Sequence, residues 1–142
     1  MEAYQTKHIS DLRRYAAQRH ASVPQMYDPD VPYWVHLFIV ELFGIAFNLG
    51  PRVRRIIIGH DLGEDTAATH KDLRIAGWSS EEVGDISRLT DLDGPTRAAR
   101  KEITLPMVAQ GGFNAIAAKA CDRGGNYLYG LLSGSVRSHT RY

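Results

Sequence analysis

The stretch Arg52-Val53-Arg54-Arg55-Ile56-Ile57-Ile58-Gly59-His60-Asp61-Leu62-Gly63-Glu64-Asp65 decides the fold class. Three consecutive isoleucines suit a pleated strand, and a dense polar cluster follows them directly. No alternating strand follows, and every neighbouring segment has helical length and period, so residues 52–65 are read as helix. On a helix, His60 and Glu64 are four residues apart, as are Asp61 and Asp65, which produces two adjacent stripes of paired polar groups. Such groups are costly to bury beside isoleucines unless their charge is compensated. Two readings are open. One is a solvated helix end carrying charge for solubility. The other is a divalent cation that takes an imidazole nitrogen and a carboxylate oxygen from His60-Asp61, with Glu64 and Asp65 near its water ligands.

Working outward, residues 7–20 mix Leu12, Tyr15 and Ala16 with Asp11, Arg13, Arg14 and Arg19, the pattern of an amphipathic helix. Residues 21–32 hold Pro24, Asp28, Pro29, Asp30 and Pro32 and read as a loop. From 32 to about 49 the chain is apolar on nearly every face, so this helix is expected to be central and buried, closed by Gly50-Pro51. Downstream, Thr69 with Asp72 starts a short capped helix ending at Gly77, and Ser79 with Glu82 forms a capping box opening another to about Leu89. A turn is expected over 91–95. A helix over 96–110 follows, interrupted or started late at Pro106. After the Gly111-Gly112 break comes a last long helix over about 114–132, then a polar tail at 133–142.

Two further polar features lie on apolar helices. Lys119, Asp122, Arg123 and Asn126 fall at offsets of 0, 3, 4 and 7, one face of the last helix. That face reads either as a wet side of an amphipathic helix or as a place where an anion relieves the Lys119–Arg123 pair. His36 is one of very few polar side chains in the 32–49 helix. A lone histidine there is more often a hydrogen-bonded core residue than a ligand. Together, however, His36, the His60-Asp61 dipeptide and Asp122 come from three helices that can converge on one ion in a bundle core.

The 142 residues suit a single domain with one core, and the 44% hydrophobic and 23% charged composition is that of a soluble globular chain. Lys and Arg number 17 against 16 Asp and Glu, so no global field draws the chain to nucleic acid or an anionic membrane. Neither is expected as a partner. The single Cys121 excludes an internal disulfide and suits a reducing cytoplasm. No apolar h-region opens the chain, and no uncharged stretch reaches the roughly 18 residues of a membrane span.

The set His36, His60-Asp61 and Asp122 resembles the four metal ligands of the HD phosphohydrolase superfamily. Within it, His60-Asp61-Leu62-Gly63-Glu64-Asp65-Thr66 is similar to the HDxxEDT motif of the RelA/SpoT hydrolase branch. Ala17-Gln18-Arg19-His20, Pro32-Tyr33-Trp34-Val35-His36 (a PYxxH stretch), Thr90, Arg97 and Lys119-Ala120-Cys121-Asp122-Arg123 with Asn126 (a KxADRxxN segment) match the same branch in order. The resemblance covers about residues 10–130. It implies an all-α, single compact HD-type helical bundle with a central metal site, formed by a core over about 10–132. It also implies manganese or a similar divalent ion, and a nucleotide substrate: guanosine 3′,5′-bis(diphosphate), from which the branch removes the 3′-pyrophosphate. Glu64 and Asp65 correspond to the acidic pair acting on the attacking water. Arg123 and Asn126 lie near the nucleotide, and Lys119 supports the site electrostatically.

One departure stands out. The branch usually carries a basic pair in the loop before its PYxxH stretch, whereas this loop reads Ser22-Val23-Pro24-Gln25-Met26-Tyr27-Asp28, with Tyr27 the candidate for stacking on a base. Arg52, Arg54, Arg55, Arg97 and Arg100 are candidate phosphate clamps, or else a basic surface patch. Gly124-Gly125 either admits a ligand closely or kinks the last helix. Two alternatives to alarmone hydrolysis remain: a (deoxy)nucleotidase or nucleoside triphosphate hydrolase of the same superfamily, and a catalytically silent nucleotide-binding module.

Overall fold

The computed structural model describes residues 7–91 and 94–134. Part of the expected turn at 91–95 and nearly all of the expected polar tail lie outside the described residues. The described elements are α1 (Ile9–Ala21), β1 (Met26–Asp28), β2 (Val31–Pro32), α2 (Trp34–Ala46), α3 (Pro51–Gly59), α4 (Leu62–Asp65), α5 (His70–Ala76), α6 (Ser80–Leu89), α7 (Arg97–Gln110) and α8 (Gly112–Ser133).

The centre of the bundle is α3, which packs against α1, α2, α6 and α8. This explains the three isoleucines: on a helix enclosed by four others, Ile56, Ile57 and Ile58 are all buried, together with Val53 and Gly59. The expectation that the 32–49 helix is central is corrected. Helix α2 buries His36, Leu37, Val40, Glu41 and Gly44 but leaves Trp34, Phe38, Leu42 and Ile45 exposed. The uniform apolarity of the segment hid which face was covered.

Helix α2 and α3 do not meet at a simple Gly-Pro stop. Asn48 takes a left-handed φ of 52° after α2, Leu49 N–H donates to Gly44 O at 2.9 Å, and Gly50 and Pro51 instead open α3. The continuous helix over 52–65 is also corrected. It breaks after Gly59, and α4 restarts at Leu62, leaving His60 and Asp61 at the junction. The 21–32 loop contains a short antiparallel hairpin, β1 with β2, turned at Asp30 with φ 62°. Both expected caps are present: Thr69 with Asp72 on α5 and Ser79 with Glu82 on α6.

Helix α7 runs through Pro106 without starting late. Pro106 and Glu102, whose carbonyl loses its i+4 donor there, are both exposed, so water can satisfy that carbonyl. Helix α8 is likewise continuous through Gly124-Gly125. An added Cβ at Gly124 would lie 2.9 Å from Phe43 Cε1, and one at Gly125 3.0 Å from Val40 Cγ2 and 3.4 Å from Val40 Cα. The pair therefore serves close packing of α8 on α2, and is neither a ligand contact nor a kink. That packing sets Asp122 opposite His36.

Candidate metal centre and active site

Four candidate ligands arrive from three places in the bundle. His36 stands in the first turns of α2, His60 and Asp61 at the α3–α4 junction, and Asp122 midway along α8. His60 and Asp61 both keep right-handed helical backbone angles at this junction, between the end of α3 at Gly59 and the start of α4 at Leu62. His60 Nε2 is 3.0 Å from Asp61 Oδ2 and 3.3 Å from Asp122 Oδ1. His36 Nε2 is 3.3 Å and 3.2 Å from the same two oxygens. One donor atom each from His36, His60 and Asp122 lies within 4.8 Å of the others.

The donor set fits a divalent cation. The His60 ring is buried, and its Nδ1 lies 2.6 Å from Ile57 O. Only a protonated Nδ1 can donate to that carbonyl, so the neutral ring presents Nε2 as a lone pair. That Nε2 is buried without a partner in hydrogen-bond geometry, although two carboxylate oxygens are near it. Burial opposes charge on both imidazoles, yet Asp61 and Asp122 raise the pKa of each. Burial likewise opposes charge on the two aspartates, whereas the imidazoles hold both well below the usual carboxylate range. Two carboxylates facing two imidazoles in so small a space call for positive charge, and two neutral imidazoles with two carboxylates can meet it around one cation.

Two tyrosines buttress this set. Tyr33 donates from its hydroxyl to Asp61 Oδ2 at 2.6 Å, and burial, then Asp61 and Asp65, drive its pKa far upward. Beneath it, His20 stacks on the Tyr33 ring at 4.7 Å. Burial pushes His20 down to about 4, so it is neutral at physiological pH. Tyr27 donates to Asn126 Oδ1 at 2.6 Å, and Asn126 Nδ2 donates to Asp122 Oδ1 at 3.2 Å. The Tyr27 ring also packs on His36 at 4.9 Å and on Tyr129 at 4.6 Å. Tyr27 is thus a wall of the site and not an exposed loop side chain.

Of the candidate ligands, His36, Asp61 and Asp122 form the floor of a cavity of about 500 Å³. Asp61, Glu64, Asp91 and Asp122 line it alongside a cationic group, Arg97 and Lys101 of α7 with Lys119 and Arg123 of α8. Lys119 Nζ is 3.6 Å from Asp122 Oδ2 and donates to Leu89 O at 3.4 Å, which holds it beside the floor. Partial burial, then Arg123 and Arg97, lower the pKa of Lys101. Crowded cations of this kind are relieved by an anion. Glu64 stands at the exposed rim, where partial desolvation and the carboxylates of Asp61, Asp65 and Asp91 push it up to about 7. Burial and Asp61 also raise Asp65, while hydrogen bonds from Tyr33 and Gln25 hold it down in part.

The structure thus gathers His36, Asp61, Glu64, Asp122, Lys119, Arg123, Asn126, Tyr27 and Arg97 around one cavity, with His60 beneath it. Three suggested phosphate clamps serve the fold instead. Arg55 is buried on Glu82, Arg54 pairs with Glu41, and Arg52 pairs with Glu81 and Asp85. Arg100 is not among the residues lining the cavity. Sequence reasoning missed Lys101 and the role of Tyr33. Lys101 had a signal, standing one turn after Arg97 on the same helix face. Tyr33 is the tyrosine of the PYxxH stretch, but nothing in the motif tells that its hydroxyl reaches Asp61.

No protein-family model and no curated protein sequence matches the chain. Among solved structures, the fold is similar to that of a protein described as a metazoan ortholog of SpoT that hydrolyzes ppGpp and plays a role in starvation responses. The TM-score is 0.71 at 21% identity, over 84% of this chain and 67% of that one. The all-helical HD-type fold expected from the sequence is the fold of this chain.

Proposed function

We propose that this chain is a divalent-metal-dependent phosphohydrolase, and that its substrate is guanosine 3′,5′-bis(diphosphate), cleaved at the 3′-pyrophosphate. The observation carrying the proposal is the convergence of two imidazole nitrogens and two carboxylate oxygens, 3.0–3.3 Å apart, at the floor of a cavity lined with cations. The ligands are His36, His60, Asp61 and Asp122. A bound divalent cation, manganese in this reading, supplies Lewis-acid polarisation of a phosphate oxygen and a more acidic water.

The chain's own residues do the rest. Glu64, titrating near neutrality, accepts or returns a proton at its carboxylate, with Asp65 beside it. Arg97, Lys101, Lys119 and Arg123 hold phosphoryl groups; the guanidiniums can do so bidentately. Asn126 presents its amide to the nucleotide, and Tyr27, as a wall of the cavity, faces the base. The fold similarity supports the choice of nucleotide, and the loop at 22–28 without a basic pair makes product identity the discriminating readout.

The test is incubation of the chain and manganese with a nucleotide panel, with products identified by mass spectrometry. GDP and pyrophosphate from the alarmone are expected, lost in His60→Ala and Asp61→Asn. Release of triphosphate from a nucleoside triphosphate, or of orthophosphate from a monophosphate, redirects the substrate within the same chemistry. Nucleotide bound but unhydrolysed, or full activity in both variants, overturns the proposal.

A further inference from the structure

Helix α2 has two sides with opposite fates. Its inner side carries His36 and packs on α3 and α8, while Trp34, Phe38, Leu42 and Ile45 form an outward stripe at spacings of four, four and three residues. Thirteen residues at about 1.5 Å rise make this stripe roughly 20 Å long. It continues into an apolar groove of about 430 Å³ between α2 and the end of α8, lined by Ile39, Leu42, Phe43, Ala46, Phe47, Leu128, Tyr129 and Leu132. Phe47 and Leu132 are 67% and 79% exposed. With ordinary side-chain areas, the seven most exposed residues of stripe and groove present roughly 750 Å² of apolar surface. That exceeds the few hundred Å² of contiguous apolar patch common on monomers and approaches the ~800 Å² per partner of a stable interface.

The chemistry of the face selects its occupant. Helix α2 contains no Lys or Arg, and its only titratable residues, His36 and Glu41, are buried. Glu41 is held by Arg13 and Arg54, at 2.6 and 2.9 Å. A helix lying on an anionic lipid surface carries basic residues on its polar face, and a partner chosen by charge needs a charged counterpart. Among the described residues, this face has neither. A straight apolar stripe is instead complementary to itself, since two copies related by a twofold axis can lay stripe across stripe by ridges into grooves. We propose that the outer face of α2 and the adjoining α8 groove form a homodimer interface, occupied by a second copy of this chain.

Tyr129 ties this surface to the site. Its ring lines the groove and the cavity alike, and its hydroxyl donates to Asp28 Oδ2 at 3.0 Å on the hairpin. The interface therefore covers the outer side of the wall that holds Asp122, and the inference stands whether or not the chain hydrolyses a nucleotide.

The test is the solution mass of the full chain by light scattering at about 100 µM, at which a dimer with a Kd of about 1 µM is nearly fully formed. The expected mass is twice 15.8 kDa. Phe38→Glu with Leu42→Glu is expected to give a monomer with unchanged helical circular dichroism. Ile75→Glu, at an exposed apolar position on α5, is expected to remain dimeric. A wild-type monomer overturns the inference, whether lipid or another protein is then found on the face. So does a dimer that survives the double substitution. If the double variant unfolds, the single substitution Leu42→Lys decides: a folded monomer supports the interface, and a folded dimer overturns it.

Discussion

Replacing Arg55 with alanine is expected to cost about 3 to 4 kcal/mol of stability while leaving substrate affinity unchanged. In the native protein Arg55 Nε and Nη2 donate to Glu82 at 2.7 and 3.1 Å, Nη2 to Gly77 O at 2.6 Å, and Nη1 to Lys7 O at 2.7 Å. Arg55 is 5% and Glu82 6% exposed, so truncation strands a buried carboxylate, a loss of about 3–5 kcal/mol. Ser79 N–H still donates to Glu82 Oε2 at 2.8 Å, which keeps the loss in the lower half of that range. With a urea dependence of about 1.5–2 kcal/mol per molar, the midpoint should fall by about 2 M. Urea unfolding followed by circular dichroism measures this. The paired replacement Arg55→Met with Glu82→Leu should recover part of the loss, because no charge is left unpaired although Gly77 O and Ser79 N–H lose their partners. A loss under about 1 kcal/mol, accompanied by a tenfold higher KM, would return Arg55 to phosphate binding and refute the reasoning.

Three further outcomes follow from the site and its supports. Tyr33→Phe removes the hydrogen bond to Asp61 and should weaken manganese binding about tenfold with the fold intact; an unchanged titration calorimetry isotherm counts against the buttress. Glu64→Gln should stabilise the metal-free protein as pH rises. The folded-state pKa, pushed up to about 7, lies above the 4.5 of an ordinary glutamate, so the wild type's protonation-linked stability is complete below about pH 4.5 and lost through pH 7. After discounting for solvent exposure the gain at pH 8 is about 1 kcal/mol, and a melting difference that does not grow between pH 4.5 and pH 8 contradicts it. Gly125→Ala gains about 1 kcal/mol of helix propensity but must push its Cβ against Val40, including the backbone Cα at 3.4 Å, at a cost of about 1–3 kcal/mol. A net fall in melting temperature is expected, and a rise would show that the helices are not in close contact there.

The residue set of the site was legible because burying so many polar groups among isoleucines demands a compensating charge, and because the matching motifs occur in order. What could not be read was which elements lie next to each other. The uniform apolarity of α2 gave no sign that α3, with its three arginines, was the enclosed helix. Arg55 looked free in sequence because its partners Glu82 and Gly77 stand more than 20 residues away. The helix break at His60-Asp61 left no proline or turn signal either; Gly59 marks it only through packing, since a Cβ there would lie 2.5 Å from Ile86 Cδ1. Tyr27 was legible as a candidate for the site but not as a partner of Asn126, because the short hairpin that carries it there is built from prolines and aspartates.

One divalent cation is expected between α2, the α3–α4 junction and α8. An anomalous difference map from a crystal grown with manganese tests it most directly. One strong peak is expected about 2.0–2.4 Å from His36 Nε2, His60 Nε2 and one oxygen each of Asp61 and Asp122. A peak elsewhere in the molecule, or none at these four residues, would contradict it.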